Sequence, residues 1–225
     1  MGVESSKTVP EPTLRRLPLY HRYLLQLDKL GRENVSCTDI GLELKLDPTQ
    51  IRKDFEAAGI EGRPRVGYVL THLIDGIERF LGWKNVQETF LVGVGSMGAA
   101  LLGYKKFERC GLNIVAVFDN DAAKVGQKIH HKEILPLDRL VALARQMGIL
   151  IGIITVPAPA AQAVADLMIQ GGIRAIWNFA PVQLRVPEST IVLNEDLYCS
   201  LAFLSQKLAG VLRTTPSQSA AIPRF

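Results

Sequence analysis

Leu17, Tyr20, Leu24, Leu27 and Leu30 recur at steps of three and four, the stripe of an amphipathic helix, and Gly31 supplies its stop. Pro18 interrupts the start of that stripe, so a regular helix is expected from near Leu17 with Arg16 at its entrance. Residues 1–12, polar and proline-bearing, are expected to be loosely ordered. Ser36 with Asp39 three residues later makes a capping box ahead of Ile40 and Leu44, which predicts a short second helix. Asp47 as N-cap, Pro48 in the first helical position, Gln50 three beyond the cap and Gly59 as stop predict a third. Two short helices meeting at a tight turn have helix-turn-helix spacing.

The third of these helices reads by face. Ile51, Phe55 and Ala58 fall at i, i+4 and i+7 and are expected to pack inward, leaving Thr49, Gln50, Arg52, Lys53 and Glu56 outward. Gln and Arg suit adenine and guanine edges in a major groove, and Lys53 suits a phosphate. Beyond Gly59, the run Glu61-Gly62-Arg63-Pro64-Arg65-Val66-Gly67-Tyr68 has the turn residues and cations of a β-hairpin wing, with Arg63 and Arg65 able to reach DNA. A helical bundle with solvated charges would show the same spacing.

From Thr89 the pattern changes to short apolar, β-rich runs separated by helical ones. Residues 89–92 lead into Gly93-Val94-Gly95-Ser96-Met97-Gly98, and Ala99-Ala100-Leu101-Leu102 continues as a helix, which places a GxGxxG fingerprint between strand and helix. The first glycine permits the tight turn, the second lets backbone amides approach a pyrophosphate, and the third lets helix and strand pack closely. The next strand, residues 112–118, ends at Asp119, about 20 residues past the fingerprint, where a carboxylate accepts ribose hydroxyls. That charge repels a 2′-phosphate and no arginine stands at Asn120 or Asp121, so NAD(H) is expected over NADP(H). A helix over 138–146, a strand over 149–154, a helix over 159–169 ended by Gly171-Gly172, and strands over 175–177 and 191–193 complete a doubly wound parallel sheet. Thr155-Val156-Pro157 and Asn178-Phe179-Ala180-Pro181 follow strand ends, where open parallel sheets bind ligands, and are expected to border the nicotinamide half. Neither segment offers the Lys, His or Tyr that a dehydrogenase needs to exchange a substrate proton, so binding is expected rather than catalysis.

Composition narrows the picture. At 225 residues, 48% apolar and 21% charged, the chain is expected to be globular with two unequal domains. No run approaches the roughly 18 apolar residues of a membrane span and no signal peptide is evident, so a cytoplasmic location is expected. Lys and Arg balance Asp and Glu over residues 1–82, so any basic face must be local, as in Arg15, Arg16, Arg22, Lys29 and Arg32. Cys37, Cys110 and Cys199 are odd in number and share no short spacing, which argues against a disulfide framework and a zinc knuckle; His130 and His131 are adjacent and read as a loop pair, so no metal is expected.

Arg16-Leu17-Pro18-Leu19-Tyr20, Gln50-Ile51-Arg52-Lys53-Asp54, Val66-Gly67-Tyr68, Val92-Gly93-Val94-Gly95, Phe118-Asp119, Thr155-Val156-Pro157 and Asn178-Phe179-Ala180-Pro181 occur together, and with them the chain resembles the Rex family of redox-sensing transcriptional repressors from about Thr13 to Gly210. The resemblance implies a homodimer that represses genes of fermentative and anaerobic energy metabolism, binds palindromic operators when NADH is low and leaves them when NADH rises. It also implies a C-terminal helix exchanged between subunits, matching the apolar residues 197–211, and a switch cluster of Arg16, Tyr104 and Asp196 near the nicotinamide. The chain departs from the family pattern at Pro64 and Arg65 in the wing, at Glu56-Ala57-Ala58 and at Leu197.

The expected organisation is a winged-helix DNA-binding domain over 1–82, a Rossmann NAD(H)-binding domain over 83–194, a dimerisation helix over 195–213 and a tail over 214–225. Two rivals are a small NAD-dependent oxidoreductase and a constitutive DNA-binding protein with a structural nucleotide.

Overall fold

The computed structural model describes residues 9–63 and 66–214. Wing residues Pro64 and Arg65, and most of the expected tail, lie outside them. The chain forms two compact units, one of the residues up to Val86 with Lys106–Leu112, the other of Gln87–Lys105 with Asn113 onward.

The first unit opens with helix α1, Glu11–Lys29. It starts earlier than Pro18 suggests. Pro18 forfeits one backbone hydrogen bond inside the helix, but Thr13, Leu17, Tyr20, His21 and Leu24 are all buried along it, so tertiary packing overrides the local cost. Arg16 therefore sits within the helix and not at its entrance. Strand β1 (Asn34–Val35) leads into α2 (Cys37–Leu44), started by the Ser36–Asp39 capping box, and α3 (Pro48–Ala57), whose N-cap Asp47 accepts the Thr49 N–H at 2.7 Å. A Cβ on Gly41 would lie 2.7 Å from the Leu46 carbonyl, so the turn between α2 and α3 closes only over a glycine. Arg63 and Gly67 exchange backbone hydrogen bonds of 2.7 and 3.0 Å as the base of a short hairpin, and strand β2 (Tyr68–Val69) pairs antiparallel with β1. Helix α4 (Leu70–Phe80) closes the core with Leu70, Leu73, Ile74 and Ile77 against Leu17, Tyr20, Ile51 and Phe55.

The second unit holds strand β3 (Gln87–Val92), helix α5 (Ser96–Leu102), β4 (Leu112–Asp119), β5 (Lys128–Ile129), β6 (Lys132–Pro136), α7 (Leu140–Met147), β7 (Ile151–Ile154), α8 (Ala158–Gln170), β8 (Ala175–Asn178), β9 (Ile191–Asn194) and α9 (Leu197–Thr214); the short α6 (Lys106–Arg109) belongs to the first. The sheet order is β5-β6-β4-β3-β7-β8-β9. Strands β4 and β6, β3 and β7, β7 and β8, and β8 and β9 pair in parallel, and the β5–β6 hairpin is antiparallel. Without that hairpin strand, the order is the doubly wound dinucleotide-binding one, whose switch point falls between β3 and β7. Phe90, Val92, Phe118 and Ile154 of the central strands pack with Leu140, Ala144, Val164 and Met168 of α7 and α8.

Candidate functional site

On the first unit, α3 presents Thr49, Gln50, Arg52, Lys53 and Glu56 to solvent and buries Ile51 and Phe55, while Ala58 is half-buried. A concavity of about 670 Å³ lies between the start of α2, the outer face of α3 and the hairpin, lined among others by Thr38, Arg52, Glu56, Arg63 and Tyr68. Burial pushes the Tyr68 hydroxyl up to about 12 and the Cys37 thiol above its ordinary value, so both are neutral there at pH 7.

Asp54, one turn beyond Gln50, is a site residue that the sequence reading missed. It is 1% exposed and binds Arg16 through both oxygens, Nε to Oδ2 at 2.6 Å and an η nitrogen to Oδ1 at 2.7 Å. The Thr13 and Tyr20 hydroxyls and the Gln50 side-chain amide also donate to it, at 2.9, 2.7 and 3.0 Å. Burial alone would raise its pKa, but the hydrogen bonds from Arg16, Tyr20, Thr13 and Gln50 outweigh that and hold it at about 2. A carboxylate at i+4 from Gln50 on the core side of α3 was the available clue.

On the second unit, a cleft of about 690 Å³ opens at the switch point, with Gly93, Gly95, Asp119, Lys124, Thr155, Val156 and Pro157 in its lining. The three glycines differ in what they allow. Gly93 has φ +101°, and a Cβ there would lie 2.8 Å from the Thr155 carbonyl carbon. A Cβ on Gly98 would lie 2.0 Å from the Gly93 oxygen, whereas one on Gly95 would meet nothing within 4 Å, so the loop is packed behind and open in front. Helix α5 starts at Ser96 with no side-chain cap, leaving its first amides toward the open side for an anion. The Thr155 hydroxyl lies 2.7 Å from the Gly93 oxygen and 3.0 Å from that of Val92, and so fastens the fingerprint to the end of β7.

Asp119 accepts the Val94 N–H at 2.8 Å and the Asp121 N–H at 3.0 Å, and the Lys124 ammonium sits 3.1 Å from Oδ2. Burial opposes ionisation, but the Asp121 and Val94 amides and Lys124 together hold the carboxyl below its ordinary value, charged at pH 7. Lys124 escaped the sequence reading, which looked for an arginine at positions 120 and 121.

Ser96 and Met97 are exposed at the start of α5. After β8 the buried Asn178 amide nitrogen donates to the Ala180 and Val182 carbonyls and to Asn194, and its oxygen accepts the Ala180 N–H at 3.0 Å. Asn178 thus shapes the Phe179-Ala180-Pro181 loop from within. Arg16 belongs to the first unit and Tyr104 and Asp196 to the second. Tyr104 is 48% exposed just past α5, and Asp196 caps α9, accepting the Tyr198 N–H at 2.8 Å and the Cys199 thiol at 3.3 Å.

A glycine-rich loop on a doubly wound sheet, with an ionised carboxylate at the neighbouring strand end, defines a dinucleotide-binding domain; joined to a helix-turn-helix unit with a short wing, it defines a nucleotide-responsive DNA-binding regulator. Two family models match the chain, one described as "CoA binding domain" over residues 85–182 and one as "Putative DNA-binding protein N-terminus" over residues 8–56. A "Redox-sensing transcriptional repressor Rex" of Bacteroides thetaiotaomicron is 43% identical over 200 residues, covering 89% of this chain and 91% of that one. The protein of the same description in Treponema denticola is 40% identical and covers 93% and 97%. Among solved structures, RSP, a Rex-family repressor, in complex with β-NAD⁺ and operator DNA superposes with a TM-score of 0.85 at 31% identity over 94% of this chain and 100% of that one. RSP in complex with β-NADH gives 0.83 at 32% identity over 92% and 97%. The chain belongs to the Rex family of redox-sensing transcriptional repressors.

No described helix is long and apolar enough to cross a membrane.

Proposed function

We propose that the chain is an NAD(H)-responsive repressor that occupies a palindromic operator as a homodimer when NADH is low and leaves it when NADH rises, acting in the cytoplasm. The observation that carries this reading is the dinucleotide cleft itself, with Gly93, Gly95 and Asp119 around one opening, in a chain whose other unit exposes Gln50, Arg52 and Lys53 on a recognition helix. Gly95, Ser96 and Met97 hold the pyrophosphate, Asp119 the adenosine ribose, and Gly98 and Thr155 the loop that carries them. Val156, Pro157 and the Phe179-Ala180-Pro181 loop set by Asn178 border the nicotinamide. Thr49, Gln50, Arg52, Lys53 and Arg63 face the DNA; Arg65, expected to join them, lies outside the described residues.

The dimer forms by exchange of α9. Leu201, Phe203, Leu204, Leu208 and Leu212 on this helix are each more than half exposed, an apolar surface of the kind that monomeric proteins rarely present. Arg16, Tyr104 and Asp196 form the switch. NADH and NAD⁺ differ in ring charge and planarity, so each favours a different arrangement of these residues and a different spacing of the two recognition helices.

The match to a CoA-binding family model supports a second ligand reading, but the Asp119 carboxylate suits free ribose hydroxyls and opposes the 3′-phosphate of coenzyme A. Calorimetry with NADH, NAD⁺ and coenzyme A separates the two, with a gel shift on a candidate palindrome run at each nucleotide. Tightest binding of NADH, accompanied by release of DNA, is the expected result. Preferential binding of coenzyme A, or operator binding indifferent to all three, contradicts the reading.

A further inference from the structure

The polar cluster around Asp54 is unusual for the buried side of a recognition helix, where apolar contacts to the core would serve. A buried ion pair is weak evidence for stability, because desolvation offsets much of the attraction. What it does provide is geometry. The Asp54 carboxylate is fixed from α1 by Thr13, Arg16 and Tyr20, and on α3 it accepts from Gln50.

Gln50 is exposed on the face offered to DNA, yet its amide nitrogen lies 3.0 Å from Asp54 Oδ1. A primary amide has two ends of similar shape, and a free side chain presents either. An ionised carboxylate only accepts hydrogen bonds, so the amide nitrogen must face it and the carbonyl oxygen must turn away. That leaves one N–H and one carbonyl oxygen of Gln50 available outward, the donor and acceptor that complement N7 and the N6 amino group of adenine in the major groove.

We propose that Asp54 is a specificity-determining positioning residue, which orients the Gln50 amide for adenine and so writes one base of the operator half-site. The inference rests on the operator-binding reading above. Asparagine at position 54 can donate as well as accept, so it lets the Gln50 amide turn over and lose its preference. Because Asp54 itself never reaches a base, its substitution acts on the position Gln50 reads and on no other.

The experiment is a competition assay in which every base pair of one operator half-site is replaced in turn, for wild type, Gln50→Ala, Asp54→Asn and Tyr20→Phe. In the wild type, replacing one adenine should weaken binding by roughly 5- to 150-fold. Gln50→Ala and Asp54→Asn should both flatten discrimination at that adenine to less than about 3-fold, keeping the preferences at other positions. Tyr20→Phe, which removes one hydrogen bond but leaves the carboxylate, should keep the wild-type pattern. The doubly neutral Arg16→Gln, Asp54→Asn protein, assayed without NADH so that the part of Arg16 in release is not read, leaves no unpaired charge in the core and should repeat the Asp54→Asn pattern if the single variant fails to fold. Full adenine preference without the carboxylate, or an equal loss at every position, overturns the inference, as does a Gln50→Ala protein with unaltered preferences. A wild type without any sequence preference overturns the repressor reading as well.

Discussion

The backbone N–H of Val94 donates to the Asp119 carboxylate at 2.8 Å, so the middle of the glycine-rich loop and the end of β4 are tied together at the mouth of the cleft. Asp119→Asn keeps an acceptor for that N–H and removes the charge. NADH affinity should fall several-fold and the preference for NADH over NADPH should narrow. Lys124→Met, which removes the cation 3.1 Å from the carboxylate, should widen the same preference. Calorimetry with both nucleotides measures the ratio; equal affinities in the unmodified protein would contradict the role given to Asp119.

A methyl group on Gly98 would lie 2.0 Å from the Gly93 oxygen and 2.9 Å from the Thr155 hydroxyl. Gly98→Ala must therefore displace the loop, and NADH affinity should drop by at least about tenfold, a cost of roughly 1.4 kcal/mol. Operator binding should persist and no longer respond to NADH. Retained NADH affinity in Gly98→Ala would show that the loop does not hold the dinucleotide.

The depressed pKa of Asp54 makes a statement about acid stability. Its folded value of about 2 lies below the unfolded one near 4, so the stabilisation is fully present above about pH 4 and is lost as pH falls toward 2. The loss should be on the order of 2 kcal/mol. Denaturant unfolding at a series of pH values should show it in the wild type and show a flatter acid limb in the doubly neutral Arg16→Gln, Asp54→Asn protein. Identical limbs would mean that Asp54 titrates normally.

Much of this architecture was legible in the chain. The capping box at Ser36 and Asp39, the Asp47-Pro48 helix start and the GxGxxG with its following aspartate are local signals with local causes, and each lies where the spacing places it. Three features were not legible. Helix α1 runs through Pro18 because the burial of Thr13, Leu17 and Tyr20 is a tertiary effect. The β5–β6 hairpin turns at His130 and His131, with φ of 44° and 68°; the pair reads as a loop, but without the Asn or Gly turn signal that would mark strands on either side of it. The partners of Asp54 are drawn from positions 13, 16 and 20 as well as 50, and no periodicity links a helix to a carboxylate so far along the chain.

Asp196 caps α9 through its bond to the Tyr198 N–H, so removing it altogether would confuse switching with helix stability. Asp196→Asn keeps a capping side chain and discharges it. The variant should remain a dimer by light scattering and bind NADH nearly as wild type does, while NADH-driven release from the operator shifts to higher concentration. Release at the wild-type NADH concentration would remove Asp196 from the switch.

If nucleotide redox state, sensed where Val156, Pro157 and the Phe179-Ala180-Pro181 loop border the nicotinamide, governs occupancy of DNA by the recognition helices, the bound fraction must follow the NADH fraction. Fluorescence anisotropy of a labelled operator, followed at constant total nucleotide while the NADH fraction is raised, tests it most directly. A ligand displaces such an equilibrium only through differential affinity for the two states, so the account requires high anisotropy in NAD⁺ and a cooperative fall as NADH replaces it. Anisotropy that stays constant across the full range of NADH fraction, with the wild-type dimer intact, would contradict it.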